Sequence, residues 1–345
     1  SADGLNFFPP IEFVNDIVIV SVKVSINRSR ERPGRLLKFL LTLLLILAAS
    51  DEPLTDNVFN NAIVNMVETM RAASFLDKGG VGKTTATAHL GVALDNLGLD
   101  VLLIDLAGKQ NDLAKHFGIF EAVEPTDDWP NISTVFDDNW SDIAEKLPSA
   151  AEEMILTTDE GPDLIPAHKG LDQVDGELAS VAVEDRFSRF SSFLDNYINP
   201  LDYDAVLIDL PGLTNNVTLN GLWATGNVIA PAELGAFEEK QMDALEDDLE
   251  ELEEEFGAVI DLSMVIPNKV DTRTNLGTEL LEKIRDRYPN VISPAYIPQS
   301  QDIKNAQNQG QTIFELEEPS STAARARDAY QENATELVDR IEGDD

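Results

Sequence analysis

The chain contains no cysteine among its 345 residues. Disulfide bonds, thiolate zinc sites and iron–sulfur clusters held by cysteine are therefore excluded. Basic residues are also scarce, with 25 Lys and Arg against 63 Asp and Glu, which gives a formal net charge of −38. Because 43% of the residues are hydrophobic and the acids are scattered between apolar positions, the composition predicts a globular protein with an acidic surface.

This charge makes a prediction about the setting in which the protein works. Self-repulsion destabilises a compact state at low ionic strength. At molar salt the screening length falls to about 3 Å, and most of that penalty disappears. The charge therefore indicates a cytoplasmic protein of a halophilic organism, such as a halophilic archaeon, and an ordinary acidic mesophilic protein is the alternative.

The first 50 residues differ in composition from the rest, with six Lys and Arg against four Asp and Glu. Residues 28–35 are basic and residues 36–49 are mostly apolar, which resembles the first two regions of a signal peptide. The apolar run is too short to span a bilayer comfortably. We expect residues 1–69 to be an extension outside the core fold, produced by a misassigned start, and residues 70–345 to form one domain. A membrane anchor at residues 36–49 is the alternative.

Beyond residue 70, short apolar runs alternate with longer segments in which apolar residues recur at helical spacing. The runs predict strands at residues 72–76, 101–105, 164–166, 205–209, 228–231, 263–267 and 295–298. The longer segments predict helices at residues 84–97, 183–197, 236–256, 278–288 and 323–341, and residues 121–150 are interpreted as an irregular insertion. This alternation is typical of an α/β fold with a doubly wound, mostly parallel sheet, whose functional loops follow the strands.

A glycine-rich loop follows the first of these strands. Residues 77–85 read Asp-Lys-Gly-Gly-Val-Gly-Lys-Thr-Thr, and a predicted helix comes next. Glycines let the backbone aim its N–H groups at phosphate oxygens, and the helix N-terminus adds positive potential. Lys83 should reach the β- and γ-phosphates, and Thr84 should bind Mg²⁺. The loop predicts a nucleoside-triphosphate site formed by Gly79, Gly80, Val81, Gly82, Lys83, Thr84 and Thr85.

The ordinary phosphate loop has glycine at position 77, whereas this one begins with Lys78 and two glycines. This variant resembles the loop of the ParA/MinD family of partition ATPases, and the likeness continues over most of residues 70–340. Residues 101–105 resemble the second motif of the family, and residues 203–209 resemble its Walker B strand. The resemblance implies a P-loop fold of the SIMIBI class, ATP and Mg²⁺ as ligands, and a homodimer in which Lys78 reaches the nucleotide of the second subunit.

Two carboxylates end predicted buried strands, Asp105 and Asp209. An unpaired charge there would be costly, and Mg²⁺ would offset that cost, whereas a capping hydrogen bond is the alternative. The expected metal ligands are Thr84, Asp105 and Asp209, and the expected catalytic residues are Lys78, Lys83 and Asp105.

The second motif departs from the family at one position. Family members carry a further Asp, which handles the attacking water, where this chain has Ala107. Because a positioned base contributes about 10²–10⁴ in rate, its loss predicts slow hydrolysis. Asp112 is close enough in sequence to substitute, although we expect a helix cap there.

Residues 268–271, Asn-Lys-Val-Asp, also match the base-recognition motif of GTPases, and residues 209–212 match their Asp-x-x-Gly. By resemblance to the partition family, Asn268, Asp271 and Pro298 contact the nucleotide, and ATP is favoured. A metal-delivery or metabolic GTPase and a non-hydrolysing nucleotide-binding regulator are the alternatives.

The resemblance also implies partners, namely a ParB-like activating protein and non-specific DNA bound through Arg273. We expect the DNA contact to be weak, because Gln299 replaces a usual basic residue and salt weakens phosphate contacts. The acidic C-terminus lacks the basic amphipathic helix that a MinD-like ATPase needs to bind membranes. The predicted function is an ATP-dependent dimerisation switch for partition or positioning of DNA or other cargo, with a MinD-like positioning ATPase as the alternative.

Overall fold

The computed structural model describes residues 11–14, 17–20, 69–108, 111–123, 129–234 and 238–343. The chain divides into two compact units, Ser1–Met66 and Val67–Asp345. In the first unit, strands β1 (Ile11–Val14) and β2 (Ile17–Val20) form an antiparallel pair. The apolar run at residues 36–49 lies outside the described residues, and the boundary at residue 69 stays a prediction.

The second unit is built on a sheet of seven strands. They are β3 (Met70–Ser74), β4 (Val101–Asp105), β5 (Leu156–Thr157), β6 (Asp163–Ile165), β7 (Ala205–Asp209), β8 (Asn227–Glu233) and β9 (Asp261–Asn268). Their order in the sheet is β5-β6-β4-β7-β3-β8-β9, and every pair is parallel except β5 with β6. The predicted α/β fold with a doubly wound, mostly parallel sheet is confirmed.

Helices cover both faces of the sheet. They are α1 (Lys83–Asn96), α2 (Asp112–His116), α3 (Phe120–Val123), α4 (Trp140–Lys146), α5 (Ala150–Glu153), α6 (Leu171–Leu178), α7 (Val183–Arg186), α8 (Ser188–Phe193), α9 (Asn216–Thr225), α10 (Glu238–Phe256), α11 (Asn275–Arg287), α12 (Gln301–Asn308) and α13 (Ser321–Gly343).

The core is divided by the sheet into two layers, because successive side chains of a strand point to opposite faces. Along β4, Leu102 and Ile104 join the layer that includes α8, α9 and α10. Val101 and Leu103 join the layer that includes α1 and α13. Both layers are apolar, so each central strand is apolar at consecutive positions, which is the pattern that the sequence shows.

The predicted strand at residues 295–298 is wrong. Within the described residues, the segment is joined to the end of β9 by a single bridge, between Val270 and Pro298, and by backbone hydrogen bonds. The Val270 N–H donates to the Ile297 carbonyl at 3.0 Å, and the Ile297 N–H donates to the Pro267 carbonyl at 2.8 Å. The contact is too short to count as a strand of the sheet. The predicted helix at residues 183–197 is also divided, into α7, α8 and a π-helical turn at Leu194–Ile198.

The interpretation of residues 121–150 as an irregular insertion is wrong for the part that the structure describes from residue 129 onward. A 3-10 helix at Ile132–Phe136 and helix α4 form there. Trp140 is buried, with its ring 5.5 Å from those of Phe193 and Tyr197. The acidic residues around Trp140 are exposed or half-buried. Because of these acids, the sequence did not indicate that the segment belongs to the core.

Candidate functional site

The phosphate loop joins β3 to α1 and depends on glycine at two points. Gly80 and Gly82 have φ angles of 80° and 99°, in the left-handed region that side chains disfavour. A Cβ atom on Gly82 would lie 2.3 Å from Nδ2 of Asn268. The loop can therefore take this path only with glycine at position 82.

Lys83 is the first residue of α1, and its side chain is folded back over the loop. Its Nζ donates to the carbonyl of Lys78 at 2.7 Å and to that of Leu76 at 3.1 Å. A Cβ on Gly212 would lie 2.8 Å from this Nζ, so the loop after β7 closes over the ammonium group. Burial lowers the pKa of Lys83, and the charge of Asp209 opposes this. The cation thus lies between the phosphate loop and the end of β7.

The two strand-end carboxylates are neighbours. The parallel register of β4 and β7 pairs Asp105 with Asp209. Oδ1 of Asp105 accepts from the N–H of Ala107 at 2.8 Å, and Oδ2 of Asp209 accepts from the Thr84 hydroxyl at 2.6 Å. The other oxygens, Asp105 Oδ2 and Asp209 Oδ1, are buried and have no hydrogen-bond partner among the residues that the structure describes. Burial raises the pKa of Asp105 to about 7 and raises that of Asp209 well above its usual range.

These orphaned oxygens fit a hard divalent cation such as Mg²⁺. Such an ion binds carboxylate and hydroxyl oxygens and completes its shell with water and phosphate. Thr84, Asp105 and Asp209 would hold it, and its charge would favour the ionised carboxylates. No group of three or more His, Asp or Glu residues is arranged around a metal position in the described segments, so these ligands would share the ion with other oxygens.

The end of β9 is tied to the phosphate loop. Asn268 Nδ2 donates to the carbonyl of Val81 at 2.7 Å, and its Oδ1 accepts from the N–H of Lys269 at 2.9 Å. Lys269 Nζ donates to Glu233 at 2.8 Å and to the carbonyl of Gly80. The structure therefore places Asn268 on the loop. Lys269, which the sequence did not predict as a site residue, is the second side chain from this region that binds the loop.

The remaining predicted residues of this region lie just beyond β9. Both carboxylate oxygens of Asp271 accept from Arg273, at 2.7 and 2.8 Å, and these hydrogen bonds lower the pKa of Asp271 to about 2. The Arg273 side chain is 84% exposed. Pro298 is buried and bridges to Val270, so Asp271 and Pro298 are close to Asn268 along the chain and the sheet edge.

Two buried histidines stand behind the loop, and a lone histidine gives no sequence signal that could have found them. The Ile313 N–H donates to Nε2 of His89 at 3.2 Å, so Nδ1 carries the proton and donates to the carbonyl of Thr85 at 2.7 Å. Nε2 of His116 lies 3.4 Å from the Thr85 hydroxyl. Burial lowers the pKa of His89 to about 3 and that of His116 to about 4.

The expectation that Asp112 caps a helix is wrong. The N-cap position of α2 is Asn111, with φ of 47°, and the Asn111 side chain makes no capping hydrogen bond to the described residues. Asp112 follows as the first helical residue, and its Oδ1 accepts from Lys115 at 2.9 Å. Its carboxylate lines a cavity of about 330 Å³ together with Asp105 and Ala107.

Comparison with known proteins shows the family to which the chain belongs. A family model described as an AAA domain, AAA_31, matches residues 72–264, which is more than half of the chain, so the chain belongs to this family. Within it, the chain is a member of the ParA/MinD group of P-loop NTPases, as the loop predicted.

Two relatives and one solved structure illustrate the likeness. The chain is 26% identical to the sporulation initiation inhibitor protein Soj of Bacillus subtilis over 262 residues, which cover 76% of this chain and 95% of Soj. It is 27% identical over 237 residues to the chromosome partitioning protein ParA of Caulobacter vibrioides, covering 69% of this chain and 83% of that one. A structure of cobyrinic acid a,c-diamide synthase from Mycobacterium smegmatis, with bound ATP analog and magnesium, is 26% identical with a TM-score of 0.61. That match covers 81% of this chain and 98% of the synthase.

Among the residues that the structure describes, no helix is both long enough and apolar enough to cross a bilayer.

Proposed function

We propose that the chain is an ATP-binding, slowly hydrolysing dimerisation switch that positions DNA or another cellular cargo. One observation carries the proposal: Lys83, Thr84, Asp105 and Asp209 meet where β3, β4 and β7 end. A lysine for phosphate and two orphaned carboxylate oxygens for a metal are the groups that a nucleoside triphosphate with Mg²⁺ needs. The names of Soj and ParA, and the ATP analog and magnesium in the similar synthase, support the same proposal.

Each group has a role in this proposal. Residues 79–85 give backbone N–H groups to the phosphates, and Lys83 moves from the loop carbonyls to the β- and γ-phosphates. Mg²⁺, when bound, neutralises phosphate charge. Thr84, Asp105 and Asp209 hold it, and Lys78 extends to the nucleotide of a second subunit.

ATP is preferred over GTP because of Asp271. In a GTPase this carboxylate must accept hydrogen bonds from guanine, whereas here both of its oxygens accept from Arg273. Asn268 is engaged with the loop in either case, so it does not discriminate. The base therefore meets a site whose guanine-specific acceptor is already occupied, which supports the ATP proposal over the GTPase alternative.

The ion pair between Arg273 and Asp271 also bears on the proposed DNA contact. Arg273 is exposed but bound to Asp271, so a DNA contact through Arg273 requires that ion pair to open, and we propose only weak binding. A ParB-like protein remains the proposed activator.

The C-terminal helix α13 gives no support to a MinD-like membrane contact. Its apolar residues Tyr330 and Leu337 are fully buried in the core. Arg340, near its end, donates to the carbonyls of Ser263 and Val291 at 2.9 and 2.8 Å. The described part of this helix therefore packs against the core of the fold.

The proposal is tested by measuring ATP binding and mass in solution. In 2 M KCl with Mg²⁺, we expect the chain to sediment as a dimer with a slowly hydrolysed ATP analog and as a monomer with ADP. The variant Lys78→Ala should still bind ATP but remain monomeric, whereas Lys83→Ala should lose binding. Excess GTP should compete poorly with labelled ATP. A chain that binds ATP without any change in mass would contradict the switch.

A further inference from the structure

Asp105 and Asp209, the two carboxylates proposed to hold Mg²⁺, are called the metal-binding pair here. A cavity of about 330 Å³ lies beside Asp105, and its walls are rich in carboxylates. Asp105, Ala107, Asp112, Asp172 and Asp175 all line it. Ala107 contributes only a methyl group, so it leaves room next to Asp105 for a water molecule. A water that attacks a terminal phosphate needs an acceptor that orients it and takes its proton. The cavity therefore raises the question of which carboxylate can do this.

The carboxylates differ in what they already bind. Asp105 belongs to the metal-binding pair. Asp175 Oδ1 accepts from the N–H of Asn216 at 2.8 Å and from its Nδ2 at 3.0 Å, and these bonds tie α6 to α9. Asp172 also lies on α6. Asp112 instead begins α2, which follows β4 and Ala107 along the chain.

Asp112 is coupled electrostatically to the metal-binding pair. Burial is the main cause that raises the pKa of Asp105 and Asp209, and the negative charge of Asp112 raises both further. Asp112 also has a neighbouring cation: Lys115 donates to its Oδ1 at 2.9 Å, and Lys115 Nζ lies 5.0 Å from the centre of the Phe120 ring. Because Asp112 does not cap α2, its carboxylate is not committed to the backbone of that helix.

We propose that Asp112 is the carboxylate that orients the attacking water and accepts its proton, with Lys115 as the residue that positions it. This inference rests on the proposed ATPase function. The water oxygen bonds to the γ-phosphorus, and the bond between that phosphorus and the bridging oxygen breaks, so that ADP leaves with the electron pair. The proton of the water passes to Asp112 and then to solvent. ATP and water thus give ADP and phosphate.

The test is single-turnover hydrolysis of ATP with Mg²⁺ in 2 M KCl, together with equilibrium ATP binding, on the full chain. We expect Asp112→Asn to bind ATP as the parent does and to hydrolyse it about 10²-fold more slowly, at the lower end of what a positioned base contributes. Lys115→Met should give a smaller loss. Adding Ala107→Asp to Asp112→Asn should restore hydrolysis, because residue 107 lines the same cavity and then supplies a carboxylate to it.

Asp142→Asn is the matched control, since it removes an exposed carboxylate from the first turn of α4, and it should leave the rate unchanged. An unchanged hydrolysis rate in Asp112→Asn would overturn the inference while leaving the ATPase intact. The inference would also be overturned if Asp172→Asn lowered the hydrolysis rate and Asp112→Asn did not. A parent chain that fails to bind ATP would instead contradict the proposed function. A loss of both binding and hydrolysis in Asp112→Asn would also overturn the inference, because it would show that Asp112 supports the site rather than the water.

Discussion

At the scale of single residues, position 82 of the phosphate loop has no room for a side chain. Gly82 combines a left-handed φ of 99° with a Cβ position 2.3 Å from Asn268, whereas Gly79 has open space around it. The strain of a left-handed alanine is about 1–3 kcal/mol, and the clash adds to it. The two glycines are therefore not equivalent, although the sequence motif treats them alike.

We predict that Gly82→Ala lowers the free energy of unfolding of the nucleotide-free chain by about 2 kcal/mol or more. Gly79→Ala should change it by less than about 1 kcal/mol, because neither space nor φ forbids the methyl group. Urea denaturation in molar KCl measures both values. Equal stabilities for the two variants would show that the loop relaxes freely around position 82.

Asp209 shows how a binding group can destabilise the fold that carries it. Its carboxylate is fully buried, and one of its oxygens has no hydrogen-bond partner in the described part of the chain. Its raised pKa means that ionisation costs stability in the metal-free chain as pH rises above the usual range of an aspartate. An amide in its place would remove that cost and could still accept from Thr84.

We predict that Asp209→Asn raises the free energy of unfolding of the ligand-free chain at pH 7, because the raised pKa means that the buried carboxylate costs stability when it is ionised. The variant should lose the further stabilisation that Mg²⁺ and ATP give the parent. Asp261→Asn, at the exposed opposite end of the sheet, is the control and should change neither quantity. A variant less stable than the parent without ligand would contradict the orphaned-oxygen account.

At the scale of elements, His89 joins helix α1 to the 3-10 helix at Ile313–Glu315. Its ring accepts from Ile313 and donates to Thr85, and it stacks on Tyr330 of α13 at 4.9 Å. The folded chain holds this ring neutral, with a pKa of about 3 against an unfolded value of 6.5. The unfolded chain therefore binds more protons between these values, so the contribution of His89 is fully present above pH 6.5 and is lost as pH falls toward 3.

We predict that the stability of the parent falls between pH 6.5 and 4.5 with a contribution from His89 of up to about 1.4 kcal/mol per pH unit. His89→Gln should be less stable at pH 7, because Ile313 and Thr85 lose partners, but its stability should fall less steeply over that range. Urea denaturation of both chains at several pH values gives the slopes. His116→Gln should flatten the slope as well, because the pKa of His116 is lowered to about 4. Parallel slopes for parent and variants would contradict the buried neutral ring.

At the scale of the whole molecule, the net charge of −38 leads us to expect a strong response of stability to salt. Helix α10 shows how the charge is arranged, because Met242, Leu245, Leu249 and Leu252 are buried while the acids between them are exposed or half-buried. Repulsion of this kind is long-ranged at low ionic strength and weak beyond about 3 Å in molar salt. The buried apolar positions that build the fold and the exposed acids that we expect to set its response to salt are therefore separate features of the same helix.

We predict that the unfolding temperature rises by several degrees or more between 0.2 and 2 M KCl, since about 1 kcal/mol moves a domain of this size by roughly 2–4 °C. A variant with Glu250→Gln, Glu253→Gln and Glu254→Gln, all on the exposed side of α10, should be more stable than the parent at 0.2 M and equal to it at 2 M. The same salt response in both chains would show that salt acts through something other than this charge.

The sequence by itself determined the phosphate loop, the alternation of strands and helices, and the two carboxylates at strand ends. These are local properties, because glycine spacing, apolar runs and the residue after a run are visible within about ten positions of the chain. It therefore predicted Lys83, Thr84, Asp105 and Asp209 as a site, and it placed β4 and β7 at their observed bounds. The tertiary structure decided the rest.

Only the order of the strands brings Asp105 beside Asp209, where one oxygen of each has no partner among the described residues. Only packing shows that Lys269 and His89 hold the loop, because their partners are far away in sequence and no short pattern records such contacts. The same is true of Asp112, which the sequence suggested as a cap and the fold places on the cavity wall beside Ala107. Local chemistry is encoded locally, whereas the choice of which groups remain unpaired depends on the long-range packing of the whole sheet.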